Sequence, residues 1–235
     1  TPGSYNQLYR NSCTSPATVA GSVSFTNVSQ AAGIQRNPGY GLGVAIGDLD
    51  NDGWPDIYVS NDAMPSDVLY VNNRDGTFTD KSRVWLRHTS YAGMGVDIAD
   101  FNDDGWPDIM QVDMMPQELP GRKRMSGYQT HSRMLDAQRR GFGFDYSLNA
   151  LQLSNGVSPA GDVVFSEIGR LAGVAYTNWS WSAVFADFDN DGRKDIFVSN
   201  GYPKQVNDLD YQNAAFAARR STDTVAGRRA CLEIL

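Results

Sequence analysis

The sequence predicts an all-β chain with a short helical insertion. Three observations predict it: one unit occurs three times, its apolar runs are short and β-branched or aromatic, and Gly, Pro or Asn bounds each run. The stronger half of the unit runs from Gly43 to Asn61 (GVAIGDLDNDGWPDIYVSN), from Gly95 to Val112 and from Ser182 to Asn200. The weaker half sets Leu8-Tyr9-Arg10-Asn11 before Phe25-Thr26-Asn27-Val28-Ser29. It returns as Leu69-Tyr70-Val71-Asn72 before Phe78-Thr79-Asp80-Lys81-Ser82, and as Leu151 to Asn155 before Phe165-Ser166-Glu167-Ile168.

Each unit thus reads as an LYxN strand, an FT strand and two strands flanking an acidic loop, over about 5–61, 68–112 and 149–200. Val44-Ala45-Ile46, Asp56 to Val59 and Asp195 to Val198 are too short and too β-branched or aromatic for helix. Two copies carry a small-residue turn, Ala32-Gly33-Ile34 and Ala172-Gly173-Val174. The first Asp of the loop falls at 48, 100 and 187, so the second interval is the longer by about 35 residues, which map to 116–148. This insertion is basic, with a short helix expected over Ser132 to Arg140, and reads as a loop excursion with a solvated charged face. Val206 to Arg220 again reads as helical. The tail over 214–235 does not resemble the repeat and reads as helical or as a truncation artefact.

The chain has 27 Asp and Glu against 20 Lys and Arg, a formal charge of -7, which argues against a nucleic acid partner. Cys13 and Cys231 stand near opposite ends and fit neither a disulfide framework nor a zinc spacing. No stretch approaches the roughly 18 apolar residues of a transmembrane span. The start lacks the pattern of a signal peptide and the chain lacks an initiator Met, so it reads as a mature product or a fragment.

Much of the acid lies in three loops of form D-x-[DN]-x-D-G-x-x-D. They are Asp48, Asp50, Asp52 and Asp56; Asp100, Asn102, Asp104 and Asp108; Asp187, Asp189, Asp191 and Asp195. Side-chain oxygens at positions one, three, five and nine, with the backbone carbonyl of position seven (Trp54, Trp106, Arg193), suit a hard cation wanting six to eight oxygen ligands. Carboxylates this close repel one another unless a cation offsets them. Calcium is therefore expected, about three ions in all. Magnesium would demand a tighter octahedral shell, and zinc would want His or Cys. An EF-hand would place a bidentate Glu at position twelve, where this chain has Val59, Gln111 or Val198.

These segments, GDLDNDGWPDIYVSND, MGVDIADFNDDGWPDIMQVDMMP, LQLSNG…FSEIGRLAGV and WSWSAVFADFDNDGRKDIFVSNGY, resemble the calcium-binding FG-GAP repeats of integrin α-subunit propellers. They are more similar still to the VCBS-type repeats of bacterial secreted proteins of the cartilage acidic protein, ASPIC/UnbV-associated group. The resemblance covers roughly residues 5 to 213 and implies a β-propeller whose calcium ions are structural. Three units are too few for a ring of four to eight blades, so a partial or open propeller is expected, with the remaining blades in a larger chain.

Catalytic chemistry finds little support. His88 and His131 read as surface histidines outside any catalytic motif, and Asp113, Glu118 and Asp145 read as acids without a recognisable partner. Trp54, Trp106, Trp179, Trp181, Tyr91 and Tyr202 flank the loops and can stack on sugars or anchor a protein, although Trp179 and Trp181 are expected to pack between blades. The expectation is an adhesion module binding a protein or carbohydrate at the cell surface or in the matrix. The alternative is an extracellular polysaccharide hydrolase or lyase with catalytic residues outside the visible motifs. An extracellular, cell-surface or periplasmic setting follows from the weak calcium affinity of such modules, roughly 10⁻⁴–10⁻³ M.

Overall fold

The computed structural model of the chain describes residues 5–12, 24–34, 38–63, 65–125, 131–201 and 207–220. Cys13, Cys231, Tyr202 and the 221–235 segment lie outside them. Strands dominate, so the chain is all-β, with a few helices at its margins.

β1 (Tyr9–Asn11) and β2 (Phe25–Asn27) form an antiparallel pair. β3 (Gly41–Gly47), β4 (Asp56–Asn61), β5 (Val68–Asn72) and β6 (Phe78–Asp80) follow as a four-stranded antiparallel meander. A single-turn helix, α1 (Ser82–Trp85), leads to the short strand β7 (Thr89–Ser90). β8 (Val96–Ala99) and β9 (Asp108–Gln111) then begin a second four-stranded sheet. The insertion supplies α2 (Leu119–Met125), α3 (His131–Arg139) and β10 (Asp145–Tyr146). β11 (Ala150–Val157) and β12 (Val163–Glu167) complete the second sheet, and the hairpin of β13 (Ser180–Ala186) and β14 (Asp195–Asn200) precedes α4 (Leu209–Arg220).

The sheets do not follow the sequence units. β4 takes its next partner from the LYxN segment downstream, with Tyr58 opposite Leu69, and β9 does the same, with Met110 opposite Leu151. Each four-stranded sheet therefore joins the second half of one unit to the first half of the next. β1–β2 and β13–β14 are the corresponding outer and inner halves. α4 likewise runs across residue 213, where the tail boundary was expected.

Alternate residues point to opposite faces of a strand, so a sheet packed on both sides needs two apolar sets. Tyr58 and Leu69 join Ile109, Val163 and Phe165 of the second sheet, with Trp85 and Leu86 closing that core. Val59, Val68 and Tyr70 face the other way, onto Ala32 and Ile34, and the Tyr70 hydroxyl donates to the Ile34 carbonyl at 2.8 Å. Met110, Val112 and Leu151 pack on Ala183 and Phe185 of the terminal hairpin. The first strands of successive sheets thus lie side by side, β3 against β8 and β8 against β13. The described residues form no closed ring.

This approach is close enough to dictate side-chain size. A Cβ at Gly43 would lie 2.4 Å from the Met94 carbonyl oxygen, and one at Gly95 would lie 2.6 Å from both Ser182 Cα and the Trp181 carbonyl oxygen. Trp181 itself is 45% exposed, with its ring against Gly201, so no described sheet covers it.

The insertion leaves as α2 and α3, and α3 begins one residue before the helix expected there. It returns as β10, which runs parallel to β7 through Thr89 N–H to the Phe144 carbonyl (2.9 Å) and Tyr91 N–H to the Tyr146 carbonyl (3.0 Å). Arg124 on α2 pairs with Asp208 at the start of α4.

Replacing Gly95 by Val should destabilise the chain by about 1–3 kcal/mol, because backbone atoms of β13 cannot give way to a new side chain. Thermal unfolding checks this; an unchanged melting temperature would show that the strands are farther apart.

Candidate metal centres

The three acidic loops fold alike because their own backbone N–H groups wrap the first aspartate. Asp48 accepts from the N–H of Asp52 (2.9 Å) and Gly53 (2.8 Å). Asp100 accepts from Asp104 (3.1 Å) and Gly105 (2.8 Å), and Asp187 from Asp191 (3.1 Å) and Gly192 (2.9 Å). Position four is left-handed in each loop, with φ of 57° at Asn51, 58° at Asp103 and 58° at Asn190. Asn and Asp tolerate that conformation best among side-chain-bearing residues. Position six reaches φ of 87° to 90° at Gly53, Gly105 and Gly192.

This folding brings the carboxylates of Asp48, Asp50 and Asp56 together, each offering an oxygen within 4.8 Å of the others. Asp187, Asp189 and Asp195 form the same cluster. In the second loop Asn102 takes the third position; its amide nitrogen donates to Asp104 at 2.9 Å and its carbonyl oxygen accepts the Asp104 N–H at 3.3 Å. The fifth-position carboxylates are engaged outside these clusters. Asp52 binds Arg74 Nε at 2.7 Å and Asp191 binds the Arg193 guanidinium at 2.6 Å. Trp54, Trp106 and Arg193, at position seven, donate their backbone N–H to the position-five carboxylate at 2.8, 2.8 and 2.9 Å.

Position nine does two jobs. Asp56 accepts the Leu49 N–H at 3.0 Å within its loop and the Asn72 N–H at 2.9 Å from the end of β5. Asp108 repeats this with Phe101 (3.1 Å) and Ser154 of β11 (2.8 Å). Among the described residues Asp195 keeps only the loop contact, to Phe188 N–H at 3.1 Å, because no described third strand lies beside β14, and it is exposed. Burial pushes both Asp56 and Asp108 up to about 6, with neighbouring carboxylates adding to the shift and the N–H donors opposing it. Asp50 is raised by burial and by Asp52. An all-oxygen donor set held together against this cost fits a hard divalent cation.

Successive loops also touch. Asn51 donates to the Gly105 carbonyl at 2.8 Å, and Lys194 Nζ donates to the Asp100 carbonyl at 2.8 Å. The LYxN segments gave no hint that Asn72 and Ser154 within them would anchor a neighbouring acidic loop. The repeat itself carried that signal, since such a segment follows each of the first two loops, directly after the first and beyond the insertion after the second.

At the opposite end of the strands lies a buried acidic network that sequence reasoning missed. Asp67 accepts the Tyr58 hydroxyl (2.9 Å) and the Asn61 N–H (2.7 Å), and burial raises it to about 7. Asp113 and Asp145, expected to lack partners, are both engaged. Asp113 accepts from the Ser90 hydroxyl and the Ala92 N–H (3.0 Å), and burial raises it to about 6. Asp145 accepts the hydroxyls of Thr89 (2.6 Å) and Ser66 (2.8 Å). Glu118 is exposed. His88 is not a free surface residue: it packs edge-on against Tyr146 and sits 3.5 Å from Glu167.

The fold and these loops define a repeat protein in which each strand–acidic loop–strand hairpin is completed by the segment that follows it. Residues 48–110 match the FG-GAP-like repeat family, so the chain carries an FG-GAP-like repeat. It is similar to cartilage acidic protein 1 of Xenopus tropicalis, 36% identical over 91 residues, and to the Homo sapiens protein, 34% identical over 91 residues. Each match covers 38% of this chain and 14% of the relative, so the matched stretch spans about a seventh of those proteins. Integrin alpha-3 of Mus musculus is 30% identical over 88 residues, 33% of this chain and 8% of that protein.

Two outcomes follow. Asp56→Ala leaves two N–H groups without an acceptor and should destabilise the metal-free protein by about 1–3 kcal/mol, whereas Asp195→Ala should cost less. Urea unfolding with chelator checks the order, and equal losses would contradict it. Burial raises Asp67 to about 7 in the fold from its ordinary 3.8, so the folded state holds the extra proton between those values. Wild-type stability should therefore fall relative to Asp67→Asn as pH rises from 4 toward 7, and a pH-independent difference would refute the shift.

Proposed function

We propose that this chain is part of a calcium-stabilised, extracellular propeller module that mediates adhesion or binds protein or carbohydrate ligands. The observation that carries the reading is the threefold recurrence of one acidic loop, two copies of which each converge three carboxylates. The ions would be held by Asp48, Asp50, Asp52 and Asp56, by Asp100, Asn102, Asp104 and Asp108, and by Asp187, Asp189, Asp191 and Asp195. The backbone carbonyls of Trp54, Trp106 and Arg193 would complete the shells. Bound calcium supplies the positive charge that offsets the clustered carboxylates. Asp52 and Asp191 would exchange Arg74 and Arg193 for the ion.

Two features support the propeller: the stacking of sheets through their first strands, and the half-sheets β1–β2 and β13–β14. In this reading further blades of a larger chain complete those halves. The likeness to an integrin alpha subunit supports adhesion and an extracellular, cell-surface or periplasmic setting. We favour binding over a hydrolase or lyase because Asp113 and Asp145 are each held by hydroxyl donors. Among the described residues no helix is long and apolar enough to cross a membrane.

Thermal unfolding in millimolar calcium and in chelator, with elemental analysis, tests this. About three calcium ions per chain are expected. At calcium about tenfold above Kd, each site adds about 1.4 kcal/mol. Absence of both bound metal and any shift would overturn the reading.

A further inference from the structure

The insertion builds a cleft at the opposite end of β4 and β5 from the acidic loops. Its volume is about 220 Å³, below the roughly 300–1,000 Å³ of sites that enclose a drug-sized ligand. Such a space admits one ring of a longer molecule. One wall is the Pro65–Val68 turn, a second is the α1 end carrying Arg83 and Arg87, and the third is Phe142-Gly143-Phe144 of the insertion.

The walls are pinned. Ser66 and Thr89, from two of them, donate to the buried Asp145 carboxylate on the third, and the Phe144 carbonyl accepts the Thr89 N–H. Phe144 is nonetheless 49% exposed, and Phe142 is half-buried. Arg83 and Arg87 are exposed and make no ion pair among the described residues. Two exposed guanidiniums on one wall, neither within ion-pair distance of a carboxylate although Arg83 is near enough to Asp145 to oppose the upward shift of its carboxyl, mark a place for an anionic ligand.

We propose that this cleft binds the acidic ring of a uronic-acid-containing oligosaccharide. The ring carboxylate meets Arg83 and Arg87, its C–H face lies on Phe142 and Phe144, and its hydroxyls reach the polar Ser66–Asp67 wall. An acidic peptide would match the guanidiniums but leave the aromatic wall without a flat partner. Asp67, which burial raises to about 7, and Asp80 also line the cleft, so the guanidiniums are what favours the anion there. The proposal rests on the ligand-binding reading above and names the ligand class.

Calorimetric titration of the full chain in calcium with tri-galacturonate, maltotriose and a hexaglutamate peptide tests it. Tri-galacturonate alone should bind. The double variant Arg83→Gln/Arg87→Gln should weaken it at least tenfold, and Phe144→Ala severalfold, with the calcium-dependent melting shift retained in both. An affinity indifferent to the arginines would place the uronate elsewhere, including on calcium in the loops, and overturn the proposal. No binding, or equal binding of the peptide, would overturn it too. A retained melting shift would then leave the calcium reading standing.

Discussion

The carboxylate at loop position nine is the joint on which each sheet depends. Asp56 and Asp108 close their own loops and, in the same gesture, accept an N–H from a strand that belongs to the next sequence unit. Both are buried, 1% and 0% exposed, and both are pushed up to about 6. A buried carboxylate is costly unless its charge is matched, so a cation beside it would stabilise the loop and the strand pairing together. In the proposed reading, metal binding and sheet completion would be coupled through one side chain.

From that joint the rest follows by geometry. The acidic loop fixes a hairpin, the position-nine carboxylate adds the third strand, and an FT segment supplies the fourth. The middle strands β4, β5 and β9 are buried on both faces, which accounts for near-continuous apolar runs such as Ile57 to Val59. The first strands of the sheets approach so closely that Gly43 and Gly95 have no room for a Cβ. Asn51 and Lys194 then tie each loop to its neighbour, so the three loops form one edge of the row.

The loops were legible in the sequence because their chemistry is local. Every first-aspartate hydrogen bond spans four or five residues, and every left-handed position within the three loops is an Asn, Asp or Gly. The strands were legible from β-branched runs. The phase of the sheets was not, because periodicity shows that a unit recurs without showing which half pairs with which. The buried acids were illegible for a different reason. Asp67, Asp113 and Asp145 find Tyr58, Ser90 and Thr89 across 9, 23 and 56 residues, and no local pattern encodes such a meeting. The cleft depends on the same long-range closure, since Phe144 reaches Thr89 only after the whole insertion has returned.

A crystal grown in calcium and measured for anomalous scattering tests the central claim most directly. The account predicts a peak in each acidic loop, with the Asp56, Asp108 and Asp195 carboxylates in contact with the ion. Absence of peaks, or peaks away from those carboxylates, would contradict it.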